Sequence, residues 1–372
     1  MTARARTAPA ARRRARAAGA ADGPGHARRA AAALLAALLV LGVAVRSGAA
    51  LPDGSAAREA AAARGAEAPS DSAAADVAAH GAAARAPLAL RDAGALVARG
   101  DGRGAVIEPS GLAVDAFGRV HVVDAALHRV QQFDAGGAWR WEAGGLGSDA
   151  GQMRRPTAAA PLGALGLAVL DAGNRRIASF DLFGRRAGVL VDLAALEADD
   201  PLGRIDPVAM AADRGGAVVV ADAERDRVLA FDFSGRPVAT IGGPGARPGS
   251  FRGLRGVAVT ARGELVTAER GAARVQRLDA GGRVVASWPI AVRPGSGALA
   301  LACDDSGRVA LADEEAGTLR VFDAGGGVLA ALDGLAGPRA VAFARDGALL
   351  VAEARAGRVR RFVLEPAPHG GR

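Results

Sequence analysis

Six times along this chain an acidic residue closes a short apolar strand, and a second apolar run begins five residues later. The acids are Asp124, Asp171, Asp222, Glu269, Asp313 and Glu353. Five residues on stand Arg129, Arg176, Arg227, Arg274, Thr318 and Arg358, each followed at once by Val, Ile or Leu. Only Thr318 departs from the arginine rule. The acids lie 47, 51, 47, 44 and 40 residues apart. Recurrence on that scale is the mark of stacked supersecondary units, and with strands this short it points to the blades of a propeller.

Within one unit the pattern is that of a twisted antiparallel sheet. In the first copy, Gly111 to Asp115 alternates apolar with small or polar residues, Phe117 and Gly118 form a turn, and Arg119 to Asp124 makes a second strand. Arg129 to Asp134 makes a third, and after Gly136 and Gly137 a fourth runs through Trp139 and Trp141. The same order recurs in residues 208–235, 256–282, 298–326 and 339–362, while the second copy starts irregularly at Pro156 to Pro161. A four-residue loop lets each acid meet its arginine. Near a surface such a pair contributes only ~0.2–1 kcal/mol. Repetition in nearly every copy marks the pairs Asp124 with Arg129, Asp171 with Arg176, Asp222 with Arg227, Glu269 with Arg274 and Glu353 with Arg358 as structural. The residue four beyond each of these positions, Phe133, Phe180, Phe231, Leu278, Phe322 or Phe362, reads as apolar filler between neighbouring sheets.

These units resemble NHL repeats, whose pattern is an apolar strand, Asp-x-x-Gly, a second apolar strand, Ala-Asp, a short polar loop, Arg, a third strand, Phe-Asp and Gly. Asp171 to Ile177 is the best single match, with Ala221 to Asp232 close behind. Gly144 to Pro156 and Gly242 to Phe251 are similar to the glycine-rich passages between NHL units. The resemblance covers residues 94–364 and implies an all-β, six-bladed propeller over residues 87–366. The sixth unit runs out of chain before a fourth strand. Gly94 to Ala98 has the composition of that missing strand, so the last blade is expected to be closed by the N-terminal strand, which removes exposed sheet edges.

The chain ends carry a different message. Residues 1–50 hold nine Arg and one Asp, and Ala30 to Val45 is an uninterrupted apolar run. That length is short for a membrane span and suits a secretory signal, with Gly48 to Ala50 as small residues for cleavage; an uncleaved N-terminal anchor is the other reading. Either way the propeller is expected to be exported, periplasmic or extracellular, and in contact with a membrane only through this segment. Residues 51–86 are Ala-rich with few large apolar side chains, as a disordered spacer would be, and residues 367–372 read as a disordered tail. The leader accounts for the whole net charge of +8, leaving 38 Arg against 38 acids elsewhere. The folded part therefore lacks the net basic charge of a nucleic-acid binder, and nucleic acid is not expected as a partner.

Catalytic groupings are scarce. Of five histidines only His121 and His128 fall in the propeller, both in one unit, which disfavours a histidine-held zinc site such as that of the amidating lyases that share the NHL propeller. The gluconolactonase-like propellers hold a divalent cation with Glu, Asn and Asp drawn from different blades, but the one Asn of this chain, Asn174, lies in a repeat loop. No catalytic residue, metal ligand or cofactor is assigned, although a divalent cation in the channel stays open. The residues ahead of each first strand, Glu108, Arg155, Asp206, Arg255 and Arg339, are the candidates to ring a channel mouth. Two acids among three arginines suit salt bridging or an anionic group. Trp139 and Trp141, two apart on one strand, and Trp288 are read as blade packing, with stacking on sugar or protein as the alternative. The lone Cys303 reads as a small buried residue. The expected function is an interaction scaffold for a protein, small-molecule or carbohydrate ligand, acting as a monomer in the cell envelope. A metal-dependent lactonase or esterase is the alternative.

Overall fold

The computed structural model describes residues 88–149, 151–181, 183–198 and 203–367; the leader, spacer and tail readings concern residues outside this range. Six sheets, antiparallel except for one two-residue parallel pairing in the sixth, are arranged around a central channel. Blade one comprises β3 (Pro109–Val114), β4 (Val120–Asp124), β5 (Arg129–Phe133) and β6 (Trp139–Gly144). Blade two comprises β7 (Ala158–Leu162), β8 (Gly166–Asp171), β9 (Arg176–Asp181) and β10 (Arg186–Asp192), followed by the short helix α1 (Leu193–Ala198). Blade three holds β11 (Pro207–Ala212), β12 (Val218–Asp222), β13 (Arg227–Phe231) and β14 (Pro237–Gly242). Blade four holds β15 (Leu254–Val259), β16 (Leu265–Glu269), β17 (Arg274–Leu278) and β18 (Val284–Pro289), and blade five β19 (Leu299–Cys303), β20 (Val309–Asp313), β21 (Thr318–Phe322) and β22 (Val328–Leu332).

The sixth sheet joins the two ends of the described chain. Its strands β23 (Pro338–Phe343), β24 (Leu349–Glu353) and β25 (Arg358–Pro366) are flanked by β1 (Leu88–Arg99) and a two-residue strand, β2 (Ala105–Val106). Strand β1 runs antiparallel to β25, from Leu88 opposite Pro366 to Val97 opposite Val359, with register shifts on either side of Ala95. The start of the second unit, irregular in sequence, is strand β7, and Pro161 is tolerated in it because β7 is an edge strand of its sheet.

Each sheet is apolar on both faces because it is covered on both sides by neighbouring blades. Six buried clusters result, one at every blade-to-blade interface, including that between blades six and one. The repeated aromatic explains their regularity. Phe133, Phe180, Phe231, Phe322 and Phe362 are almost wholly buried, and each enters the cluster facing the preceding blade. Where blade four has Leu278 instead, Phe251 from the preceding glycine-rich passage fills the interface and is itself fully buried. Burying one such ring contributes on the order of 2–3 kcal/mol, so each interface is anchored by one large side chain.

Candidate functional site

The repeated acids end the second strand of each blade on one side of the disc, and the arginines open the third strand directly opposite them. Asp171, Asp222, Glu269 and Glu353 are fully buried and bind Arg176, Arg227, Arg274 and Arg358 at 2.8, 2.7, 2.8 and 2.6 Å. The expectation of a weak surface pair is thus corrected. The carboxylates are inside, and each also accepts a backbone N–H from the segment leading into the first strand of its blade: Arg154, Asp206, Arg252 and Ala336 respectively. The arginines reach across to carbonyls of the glycine-rich passages, as Arg176 does to Ser148 and Gln152, and Arg274 to Ala246 and Ser250. The motif is therefore a clamp on the connection between blades.

Two blades depart from the rule. Asp124 and Arg129 stand opposite each other in register but form no salt bridge. Arg129 turns to Glu142 at 2.9 Å and to the carbonyls of Gly102 and Ala105, while Asp124 accepts backbone N–H groups from Ile107, Glu108, Ala126 and Leu127. In blade five, where Thr318 replaces arginine, Arg270 reaches over from blade four and binds Asp313 at 2.9 Å, with both side chains almost wholly buried.

The candidate mouth residues lie on this same side, but in two tiers. Glu108 and Asp206 immediately precede the first strands of blades one and three and Arg155 lies three residues before that of blade two, whereas Arg255 and Arg339 lie within β15 and β23, deeper in the channel. The prolines reveal the offset: Glu108, Arg155 and Asp206 precede Pro109, Pro156 and Pro207, but Arg339 follows Pro338. Counting back fourteen residues from the repeat acid reaches Ser110, Thr157, Val208, Arg255 and Arg339, which line one channel, and in blade five Leu299, which is fully buried and does not. Sequence reasoning missed Ser110 and Thr157, and this count would have found them.

The structure brings Glu108, Arg155 and Arg339 together. Glu108 accepts from Arg339 at 2.6 Å and from Arg155 at 3.4 Å, and Arg339 also binds Glu314 at 2.8 Å. Burial works against the charge on Arg339, yet Glu314 and Glu108 outweigh it and raise its pKa further. Asp206 is exposed and stands apart from this network. Arg255 is half-buried, lines the channel and has no hydrogen bond or ion pair among the described residues. The carboxylates here are neutralised by guanidinium groups, and among the described residues no three His, Cys, Asp or Glu side chains converge. Asn174 donates to Asp171 and to the Gly147 carbonyl, in the clamp of blade two.

The opposite side of the disc is built from the turns that follow first and third strands. There the channel widens into a funnel of about 900 Å³ lined by residues such as Asp115, Asp213, Arg214, Asp304 and Arg345. Cys303 also lines it and is half-buried, which corrects the expectation of a buried residue; desolvation, with Asp304 nearby, pushes its thiol up to about 12. Burial tends to raise the pKa of Asp115, but bonds from His121, from the backbone of Arg119 and Phe117 and from the Arg119 guanidinium hold it well below the usual carboxylate range. Phe117, Leu165, Phe183 and Phe233 project from turns of blades one to three and are 62 to 70% exposed. Arg119 and Arg185 cover the rings of Phe117 and Phe183, at 4.9 and 5.3 Å from their centroids.

The tryptophans divide unexpectedly. A register shift in β6 sets Trp139 opposite Phe133 and Trp141 opposite Gln132, so the extra residue, Arg140, puts the two indoles on opposite faces of the sheet. Trp139 packs in the interface with blade six, and Trp141 in that with blade two. Trp288 is buried in the interface with blade five, 5.8 Å from the Phe322 ring. All three serve blade packing.

Comparison with known proteins bears on fold more than on activity. No family model matches the chain. Over 109 residues it is 38% identical to the E3 ubiquitin-protein ligase NHLRC1 of Homo sapiens, a match covering 29% of this chain and 27% of that protein. Virginiamycin B lyase from Staphylococcus aureus shares the fold with a TM-score of 0.53 at 10% identity, covering 74% of this chain and 99% of that one. A gluconolactonase from Xanthomonas campestris does so with a TM-score of 0.52 at 16% identity, covering 76% and 96%. Six acid-bounded four-strand units in a six-bladed ring, together with the partial match to NHLRC1, support the resemblance of this chain to NHL-repeat β-propellers.

Proposed function

We propose that this protein is an exported NHL-repeat propeller that works as an interaction scaffold in the cell envelope. The exposed aromatic turns carry the reading. Phe117, Phe183 and Phe233 stand in water on one side of the disc although six other phenylalanines are buried. Large apolar side chains held out on rigid turns mark a surface that a partner covers. Replacing all three with Ser should abolish partner capture from envelope extracts while leaving the melting temperature unchanged, because none of the three supports a blade interface. Capture that survives the triple substitution overturns the reading.

The lactonase alternative draws on the fold shared with the gluconolactonase. Its test is hydrolysis of lactones and esters by the full chain with calcium, magnesium or zinc added, and turnover that a chelator reversibly removes would replace the scaffold reading. Export rests on the leader residues 1–50, and sequencing the N-terminus of the mature protein distinguishes a cleaved signal from a retained anchor. We also infer that pairing of β1 with β25 closes the ring. Deleting residues 88–99 should then lower the melting temperature sharply, and an unchanged melt would sink that inference.

A further inference from the structure

We propose that the channel holds a carboxylate-binding site formed by Arg255 and Thr157. The two residues occupy equivalent positions in blades four and two, fourteen residues before Glu269 and Asp171, and line the same cavity of about 70 Å³. Two independent features of that cavity are unmet. Arg255 is half-buried, and its guanidinium has no ion pair or hydrogen bond among the described residues. Thr157 Oγ1 is inaccessible to solvent and also has no partner. The other channel arginine, Arg339, is already held by Glu108 and Glu314. An unpartnered guanidinium lining a cavity offers a seat for an anion, and a hydroxyl left buried without a partner is costly, so turning the Thr157 hydroxyl toward a group bound at Arg255 would satisfy both.

The ligand class follows from charge, donors and walls. A carboxylate carries one negative charge and two acceptor oxygens, enough to take a bidentate bond from a guanidinium and a bond from a hydroxyl. A phosphate dianion would call for further donors. Alanines from blades two, three, five and six, with Met210 and Val257, make the remaining wall small and apolar. The site therefore fits a carboxylate on a short aliphatic stem, offered by a small free acid or by the carboxyl terminus of a polypeptide entering from the arginine-lined mouth.

The test is calorimetric titration of the full chain, with thermal melts in parallel, at constant ionic strength. The probes are sodium butyrate, neutral butyramide, inorganic phosphate, and a short aliphatic peptide bearing either a free or an amidated carboxyl terminus. Saturable binding of butyrate but not butyramide is expected, weakened about tenfold or more by Arg255→Gln and about fivefold by Thr157→Val. Tight binding of the free-acid peptide alone identifies a chain terminus as the source, and equal binding of butyrate identifies a small acid. Arg255→Gln breaks no hydrogen bond or ion pair among the described residues, so its melt without ligand should match the wild type, and with a matching melt loss of binding cannot be attributed to misfolding. Absence of binding by every carboxylate, preference for phosphate, or undiminished binding by Arg255→Gln overturns the proposal.

Discussion

Blades three and one carry the same acid at the same place and neutralise it differently. In blade three, Asp222 meets Arg227 at 2.7 Å and accepts the Asp206 N–H. In blade one, Asp124 is just as buried, yet its arginine has turned to Glu142 and four backbone N–H groups take its place. Blade five adds a third solution, a cation imported from blade four. The acid is the constant element because it caps the backbone leading into the channel strand. The arginine is interchangeable because charge can be supplied from any direction, or by N–H dipoles alone.

That view is most exposed to failure at blade three. Asp222→Ala leaves the buried Arg227 without its carboxylate and should cost about 3–5 kcal/mol in denaturant unfolding, as removal of one partner of a buried ion pair does. Arg270→Ala should cost about 3 kcal/mol through the unpaired Asp313, and adding Thr318→Arg to that variant should recover most of the loss. No recovery would mean that the cation's origin matters after all. Asp124→Asn has no cation to strand, but it turns an acceptor into a donor facing backbone N–H groups, so about 2 kcal/mol is expected.

The funnel side supplies a milder contrast. The Asp115 carboxyl has a lowered pKa in the folded protein, so its contribution to stability is present above the ordinary carboxylate pKa and is lost as pH falls below about 4. Acid melts should show wild type losing more stability below that pH than Asp115→Asn, and equal losses would remove Asp115 from the account. His121 shares the interaction at 3.2 Å and is equally buried.

How much of this was legible beforehand depends on the residue. The six acids, the arginines and the aromatic of each third strand were read directly, because a repeat exposes every position that the architecture demands of each blade. Asp313 shows the limit of that logic. Its arginine, Arg270, lies forty-three residues upstream in another unit, where no local pattern signals it. The tryptophans show a second limit: alternation along a strand predicts that Trp139 and Trp141 share a face, and one bulged residue reverses that. The mouth residues show a third. Reading Arg255 and Arg339 as equivalents of Glu108 ignored the two-residue offset that alignment on the acids reveals, and with it the tier that contains Thr157.

By itself the sequence determined the number of blades, the order of strands within each and the faces that must be buried, since these follow from period and local alternation. Only the tertiary structure decided which charges meet, where the two tiers of the channel fall, and that Arg255 and Thr157 are left without partners around one cavity. Those outcomes depend on side chains from different blades converging in space, and on single-residue register shifts that move a side chain from one face of a sheet to the other.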